Sequence, residues 1–171
     1  MMISPKVIEC SKAIVKKDWK ITFVESASSG RMCYEFSRVP DSGKILIGGI
    51  VCYDANMKEE MLEIPPELIE IFTPESAEVT EAMAQNFCKI IASDVCVALT
   101  GLTTPGGSET PEKPVGTIFL HIVFPHKQLA KRYEFKGNDE EIVTQAIDAA
   151  ASLIINELEY FDKKETVSLS E

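Results

Sequence analysis

The chain has 171 residues, 45% of them hydrophobic and 26% charged, a balance that fits one folded domain over residues 1–161 burying roughly 70% of its unfolded surface without a disulfide or metal staple. Lys plus Arg number 17 and Asp plus Glu 27, and the resulting net charge of −10 repels a phosphate backbone and an anionic bilayer, so neither nucleic acid nor membrane is an expected partner. Five cysteines without a C-x-x-C pair, and two histidines without partners at ligand spacing, argue against a disulfide framework and against a protein-held metal. No apolar run approaches the ~20 residues of a membrane span, and Met1–Lys20 lacks a signal-peptide core, so a cytoplasmic protein is expected.

The elements alternate. Residues 4–17 read as a helix, with Ser4 as cap and Pro5 in the first turn. Residues 20–24 are a short β-type run, and 30–38 resume helical spacing through Met32, Cys33 and Phe36. Residues 45–53 read as a buried strand broken by Gly48 and Gly49. Asp54 caps a short helix over 55–62, and Pro65-Pro66 ends it and starts another near 66–71. Ser76 opens a helix carried by Val79, Met83, Phe87, Ile90 and Ile91. Residues 94–100 read as a central strand. A loop spans Gly101 to Pro114, two strands cover 115–124 and 128–135, and Asn138 caps a long last helix. After Phe161 the composition turns polar, and 162–171 is expected to fray. Helices and strands in this order predict an α/β, three-layer αβα sandwich around a mixed sheet of four to five strands, with strand order left open.

Three segments place small or polar residues at strand ends, where α/β sheets gather ligands. The first is Val24-Glu25-Ser26-Ala27-Ser28-Ser29-Gly30. It offers hydroxyls and the unpaired N–H groups of a helix start, which suit an oxyanion, a phosphate or a serine nucleophile, or serve only as an N-cap turn. The second is Gly48–Lys58. Lys58 lies in the first turns of a helix, where the dipole lowers its pKa and burial lowers it further, so that a neutral amine can accept a serine proton; otherwise it is a solvated surface lysine. The paired glycines point to close approach of another backbone or a ligand. The third is Thr100–Thr117, a long polar loop whose threonines, amides and Lys113 suit a sugar or phosphate, or merely cross between strands. Cys52 and Cys96 lie in apolar strands and read as inert core thiols, and His121 reads as structural.

Taken together these segments resemble the CinA C-terminal domain family, the nicotinamide-nucleotide amidohydrolases. The family's A-E-S-C-T-G-G corresponds to Val24–Gly30, and its G-G-x-V-T-Y-S-N-x-x-K to Gly48–Lys58. Its T-G-I-A-G-P-x-G corresponds to Thr100–Gly107, and its E-K-P-V-G-T to Glu112–Thr117, with Ser76–Ala84 similar to its S-E-E-V-x-x-A-M-A helix. The resemblance covers residues 5–160 and suits a stand-alone form. It implies hydrolysis of the carboxamide of nicotinamide mononucleotide (NMN), without metal or organic cofactor. It also implies Ser26 as nucleophile, Lys58 as proton acceptor and Tyr53 as an assisting group, with a small pyridine nucleotide as substrate partner and a homodimer as assembly. Amides at Ser28, Ser29 and Gly30 are the expected oxyanion donors. Gly49, Thr100, Gly101, Thr103, Gly106 and Lys113 join them as substrate-contacting positions.

The chain departs from the family pattern at several points. Ser29 stands where the family has the first Gly of T-G-G, Ala55 where it has Asn, and Thr103-Thr104 where it has Ala-Gly. Gly137-Asn138-Asp139 replaces G-D-R, so an acid stands in place of an arginine suited to a phosphate. These changes leave two alternatives beside NMN hydrolysis: a decayed nucleotide-binding or interaction module, and a hydrolase for a different small amide.

Overall fold

The computed structural model describes residues 3–168. Helix α1 (Pro5–Lys16) starts on Ser4, whose Oγ accepts the Lys6 amide at 3.1 Å. It leads into β1 (Ile21–Glu25), buried along its whole length. Helices α2 (Arg31–Ser37) and α3 (Ser42–Ile45) return the chain to β2 (Leu46–Val51). Helix α4 (Ala55–Leu62) is capped by Asp54, α5 (Pro66–Phe72) opens on a proline, and α6 (Ala77–Ile90) is capped by Ser76, whose Oγ accepts the Val79 amide at 3.2 Å. Strands β3 (Val95–Gly101), β4 (Thr117–Val123) and β5 (Gln128–Glu134) follow, and α7 (Asp139–Ser168) ends the described chain.

The five strands lie in the order β2-β1-β3-β4-β5. β1 runs parallel to β2 and β3, whereas β3–β4 and β4–β5 are antiparallel, so the sheet is mixed. Alternation along the strands divides the apolar side chains between two cores. Ile21, Phe23, Val95, Val97 and Leu99 pack with Ile14 of α1, Phe36 of α2 and Ile154 of α7. Val24, Cys96 and Ala98 face the other way, toward Leu62 of α4, Ile69 of α5 and Met83 and Phe87 of α6. This is the three-layer arrangement expected.

Two local expectations change. β2 is an edge strand, not a buried one, and its burial alternates along the chain, with Ile47 and Val51 46% and 41% exposed on the same face. An extra turn, α3, follows Asp41 in the left-handed region (φ 62°). Helix α7 runs past Phe161 to Ser168. Phe161 stacks on His126 with ring centroids 4.6 Å apart, and Asp162 takes Lys16 at 3.3 Å and Lys17 at 2.5 Å, which ties this part of α7 to the end of α1. The rest of the expected tail, 169–171, lies outside the described residues. Among the described residues no helix is long and apolar enough to cross a membrane.

The topology positions the site. The connection after β1 leads to β2 on one side, whereas the connection after β3 leads to β4 on the other. Loops leaving the carboxyl ends of adjacent β1 and β3 therefore diverge, and a crevice opens between them.

Candidate active site

Ser26 stands at that crevice. Its amide donates to Leu99 O at 3.0 Å, which extends the β1–β3 pairing by one residue and fixes the position of the side chain. The turn beyond it passes through the left-handed region at Ser29 (φ 50°) and Gly30 (φ 89°) before α2 begins. Glu25, 1% exposed, holds this turn from beneath. Its Oε2 accepts the Ser28 hydroxyl at 2.6 Å and the amides of Gly30 and Met32 at 3.1 and 2.9 Å, and its Oε1 accepts the Cys33 amide at 2.8 Å. A carboxylate thus satisfies the amides that open α2 and sits on the positive end of its dipole.

Lys58 approaches Ser26 from α4. Asp54 caps that helix by accepting the Asn56 amide at 2.8 Å, and Lys58 follows one turn later on the inward face. Its side chain is 0% exposed. The Nζ lies 3.2 Å from Ser26 Oγ, 2.8 Å from Cys52 O and 3.2 Å from Tyr53 O. Burial lowers its pKa, and the charges of Glu75, Cys52 and Asp54 oppose that shift without reversing it. A neutral amine keeps two N–H donors and one lone pair. With two carbonyls taking the donors, the lone pair is left toward Ser26, the arrangement a base needs to accept a hydroxyl proton.

A cavity of about 250 Å³ opens over Ser26, walled by Tyr53, Glu75 and the Gly101–Gly107 loop. A second, of about 420 Å³, shares Ala27, Tyr53, Thr103 and Thr104 with it and extends to Arg31, Asp139 and Glu140. A wider cleft of about 750 Å³ lies between Ser4, Glu35 and the start of α7, and it contains neither Ser26 nor Lys58. Because the Ser26 hydroxyl, with the buried Lys58 amine 3.2 Å from it, borders the smaller cavity and not the wider cleft, chemistry and not volume makes this the candidate site.

With that geometry in view, the family model of the CinA C-terminal domain matches residues 5–158. The chain belongs to the CinA C-terminal domain family. A CinA-like protein of Leptospira biflexa is 36% identical over 147 residues, 85% of this chain and 35% of that protein, and one of Desulfotalea psychrophila is 35% identical over 131 residues, 77% and 32% respectively. The chain therefore spans about a third of the length of the curated relatives it matches. A solved CinA superfamily protein of Klebsiella pneumoniae superposes with TM-score 0.87 at 21% identity over 94% of this chain and 99% of its own. The competence/damage inducible protein CihA of Agrobacterium tumefaciens gives 0.84 at 22% identity over 93% and 99%. These likenesses show the fold.

Within this CinA domain the expected site residues separate into those at the cavity and those that build its walls. Ser26, Tyr53, Gly101, Thr103 and Gly106 line the cavity over Ser26, while Ser28 and Ser29 line its extension. Tyr53 meets Lys58 through its backbone carbonyl, and its ring stands 65% exposed at the mouth. Gly49 packs against β1: a Cβ there would lie 2.7 Å from Phe23 O, so the close approach is to backbone. Thr100 is buried, with its Oγ1 2.7 Å from Thr80 Oγ1, and ties β3 to α6. Lys113 does not line the cavity. Its Nζ donates to Thr73 Oγ1 at 2.6 Å, Ser108 Oγ at 2.7 Å and Glu75 O at 3.0 Å, which clamps the loop to the start of α6.

The expected oxyanion donors also change. The Ser29 amide donates to Ser26 O at 3.0 Å and the Gly30 amide to Glu25, so neither faces the cavity. Among the described residues the Ala27 and Ser28 amides meet no acceptor within the chain. Sequence reading missed Glu25, Glu75 and Arg31. Glu25 directly precedes the serine, which is a signal for a capping carboxylate. Glu75 precedes the Ser76 cap, where nothing local marks it as facing Lys58. Arg31 joins α2 to α7 through Glu140 O at 3.1 Å and Thr144 Oγ1 at 2.8 Å, and it sets a cation beside the acids that replace the family's arginine.

Proposed function

We propose that this domain hydrolyses the carboxamide of NMN to nicotinate mononucleotide and ammonia through a Ser26–Lys58 dyad. The 3.2 Å approach of a fully buried Lys58 Nζ to Ser26 Oγ carries this reading. Neutral Lys58 takes the Ser26 proton as Oγ attacks the amide carbon. The oxyanion that forms is met by the free Ala27 and Ser28 amides. Lys58 returns its proton to the nitrogen, ammonia leaves, and an ester on Ser26 results. A water molecule, deprotonated by Lys58, attacks that ester and releases the carboxylate and the serine. In the adjoining cavity Arg31 supplies the cation for the phosphate in place of the missing family arginine. Tyr53 contributes through its backbone carbonyl to Lys58 and through its ring to the cavity wall.

The test is ammonia release from NMN by the purified chain. Lys58→Ala is expected to lose about 10²–10⁴-fold in kcat, the usual worth of a positioned base, and Ser26→Ala at least as much. Turnover in both variants equal to the wild type removes the mechanism. One observation favours a second reading: Asp139 and Glu140 stand on the cavity wall and oppose an anionic group. Calorimetric binding of NMN without ammonia release would assign the domain to binding alone, and turnover of another amide with NMN left intact would move the substrate. The homodimer and the cytoplasmic setting belong to the same proposal. A single-chain mass in sedimentation equilibrium discards the dimer.

A further inference from the structure

The Gly101–Pro114 loop walls the cavity over Ser26, yet few bonds hold it there. Residues 104–107 and 109–112 are exposed. Among the described residues, 103–113 hydrogen-bond to the body of the domain through Ser108, Glu112 and Lys113. Arg132 Nη2 donates to Glu112 O at 2.6 Å, and the other two residues both land on the junction between α5 and α6. An ammonium has three protons to give. Lys113 Nζ places them on Thr73 Oγ1 at 2.6 Å, Ser108 Oγ at 2.7 Å and Glu75 O at 3.0 Å. Ser108 in turn donates to Glu75 Oε2 at 2.5 Å. The junction itself is strained. Thr73 has φ 69° and ψ 156°, a region almost reserved for glycine, although it is β-branched. Its amide donates to Ile69 O at 2.9 Å, its carbonyl accepts Ser76 Oγ at 3.0 Å, and its Oγ1 accepts Lys113. These bonds hold a conformation that the backbone disfavours, so loss of one shifts the balance toward release.

We propose that Lys113 is a positioning residue that latches the Gly101–Pro114 loop as a lid over the Ser26 cavity, and that substrate enters while the latch is released. The inference rests on the reading of that cavity as the substrate site. At about 250 Å³ the cavity is smaller than the ~300–1,000 Å³ of ordinary small-molecule sites, as a shut lid makes it. Latched, the loop holds Thr103 and Gly106 at the cavity wall. Unlatched, it withdraws them, and the binding-competent state falls to a fraction of the molecules. Apparent affinity then drops by that fraction, while substrate once bound holds the lid shut and reacts at the ordinary rate. Lys113 touches neither Ser26 nor Lys58, and it acts through the loop.

The experiment compares the full chain with Lys113→Met, which keeps the stem and removes the three donors, and with Ser108→Ala, which removes the second tie and leaves Lys113 in place. A glutamyl endopeptidase reads lid opening by its cuts after Glu109 and Glu112, and global unfolding by its cut after Glu157, which is 5% exposed on α7. Cleavage after Glu109 and Glu112 should be at least about tenfold faster in both variants, because it follows the population of the open form, with cleavage after Glu157 unchanged. In ammonia release from NMN on the pH plateau, KM should rise in both variants with kcat held within about threefold. Equal cleavage after Glu109 and Glu112 in all three proteins overturns the lid, whatever the turnover. Acceleration that extends equally to Glu157 also overturns it, since Lys113 would then only stabilise the fold. A fall in kcat at unchanged KM overturns the role in substrate entry. If no form releases ammonia, it is the reading of the cavity that fails, and the cleavage ratio still decides the lid.

Discussion

A buried ammonium without a carboxylate in contact is costly, and Lys58 is kept because its head group meets three oxygens. Two of those oxygens are backbone carbonyls, which no side-chain substitution removes. Burial lowers its pKa, and the Glu75 carboxylate on the cavity wall raises it. Glu75→Gln keeps an acceptor for the Ser108 hydroxyl, which donates to Glu75 Oε2 at 2.5 Å, while removing the charge. Lys58 then deprotonates at lower pH. The acid limb of kcat/KM for amide hydrolysis should move to lower pH in Glu75→Gln, with the plateau retained. An acid limb that stays in place would show that Lys58 is not the titrating base.

At the scale of elements, the turn after β1 depends on Glu25. One carboxylate accepts three amides of the α2 start and the Ser28 hydroxyl, so the turn that carries Ser26 is held by a group on β1 itself. Glu25→Gln replaces a charged acceptor by a neutral one whose NH₂ group faces amide donors. It should destabilise the fold by about 2 kcal/mol, within the range of hydrogen bonds to charged groups, read as a lower urea midpoint at unchanged m-value. A midpoint equal to the wild type would show that the amides find other acceptors. The Gly101–Pro114 loop is held in the same manner from a distance. Lys113 anchors it on Thr73 and Glu75, which is why a residue within the family's E-K-P-V-G-T motif stands outside the cavity yet shapes it.

For the whole molecule, the buried lysine makes stability depend on pH. Below its lowered native pKa, Lys58 is charged in both the native and unfolded chain. Between that pKa and the ordinary 10.5, the unfolded chain holds a proton that the native chain lacks, so unfolding free energy rises with pH over this window. Lys58→Met removes the titration. The difference in unfolding free energy between Lys58→Met and wild type, in favour of the variant near neutrality, should shrink as pH rises toward 10.5, where Lys58 is neutral in both states. Denaturant titrations of both proteins at stepped pH measure it, and contributions of the other groups cancel in the difference. A difference constant with pH would mean that the native lysine is not desolvated.

Local pattern was enough for much of this protein. The caps Ser4, Asp54 and Ser76, the prolines at helix starts and the apolar periods placed six of the helices and all five strands to within a few residues, because these signals act over one or two turns of chain. The same short range explains what was misplaced. Residues 45–53 carry the composition of a buried strand, and only the sheet order makes β2 an edge. Thr100, Gly49 and Lys113 lie in segments matched to the family, yet their side chains or Cα atoms are taken up by Thr80, β1 and Thr73.

The sequence by itself determined the layered α/β class and the helix starts, since each is written in neighbouring residues, and its motif wording singled out Ser26 and Lys58 as candidates. Only the tertiary structure decided that Lys58 is buried against Ser26, that Glu25 occupies the start of α2, and that the charge of Glu75 acts on the lysine. Those contacts join residues whose meeting is set by which strands pair, and strand pairing depends on the free energy of the whole sheet and not on any one segment.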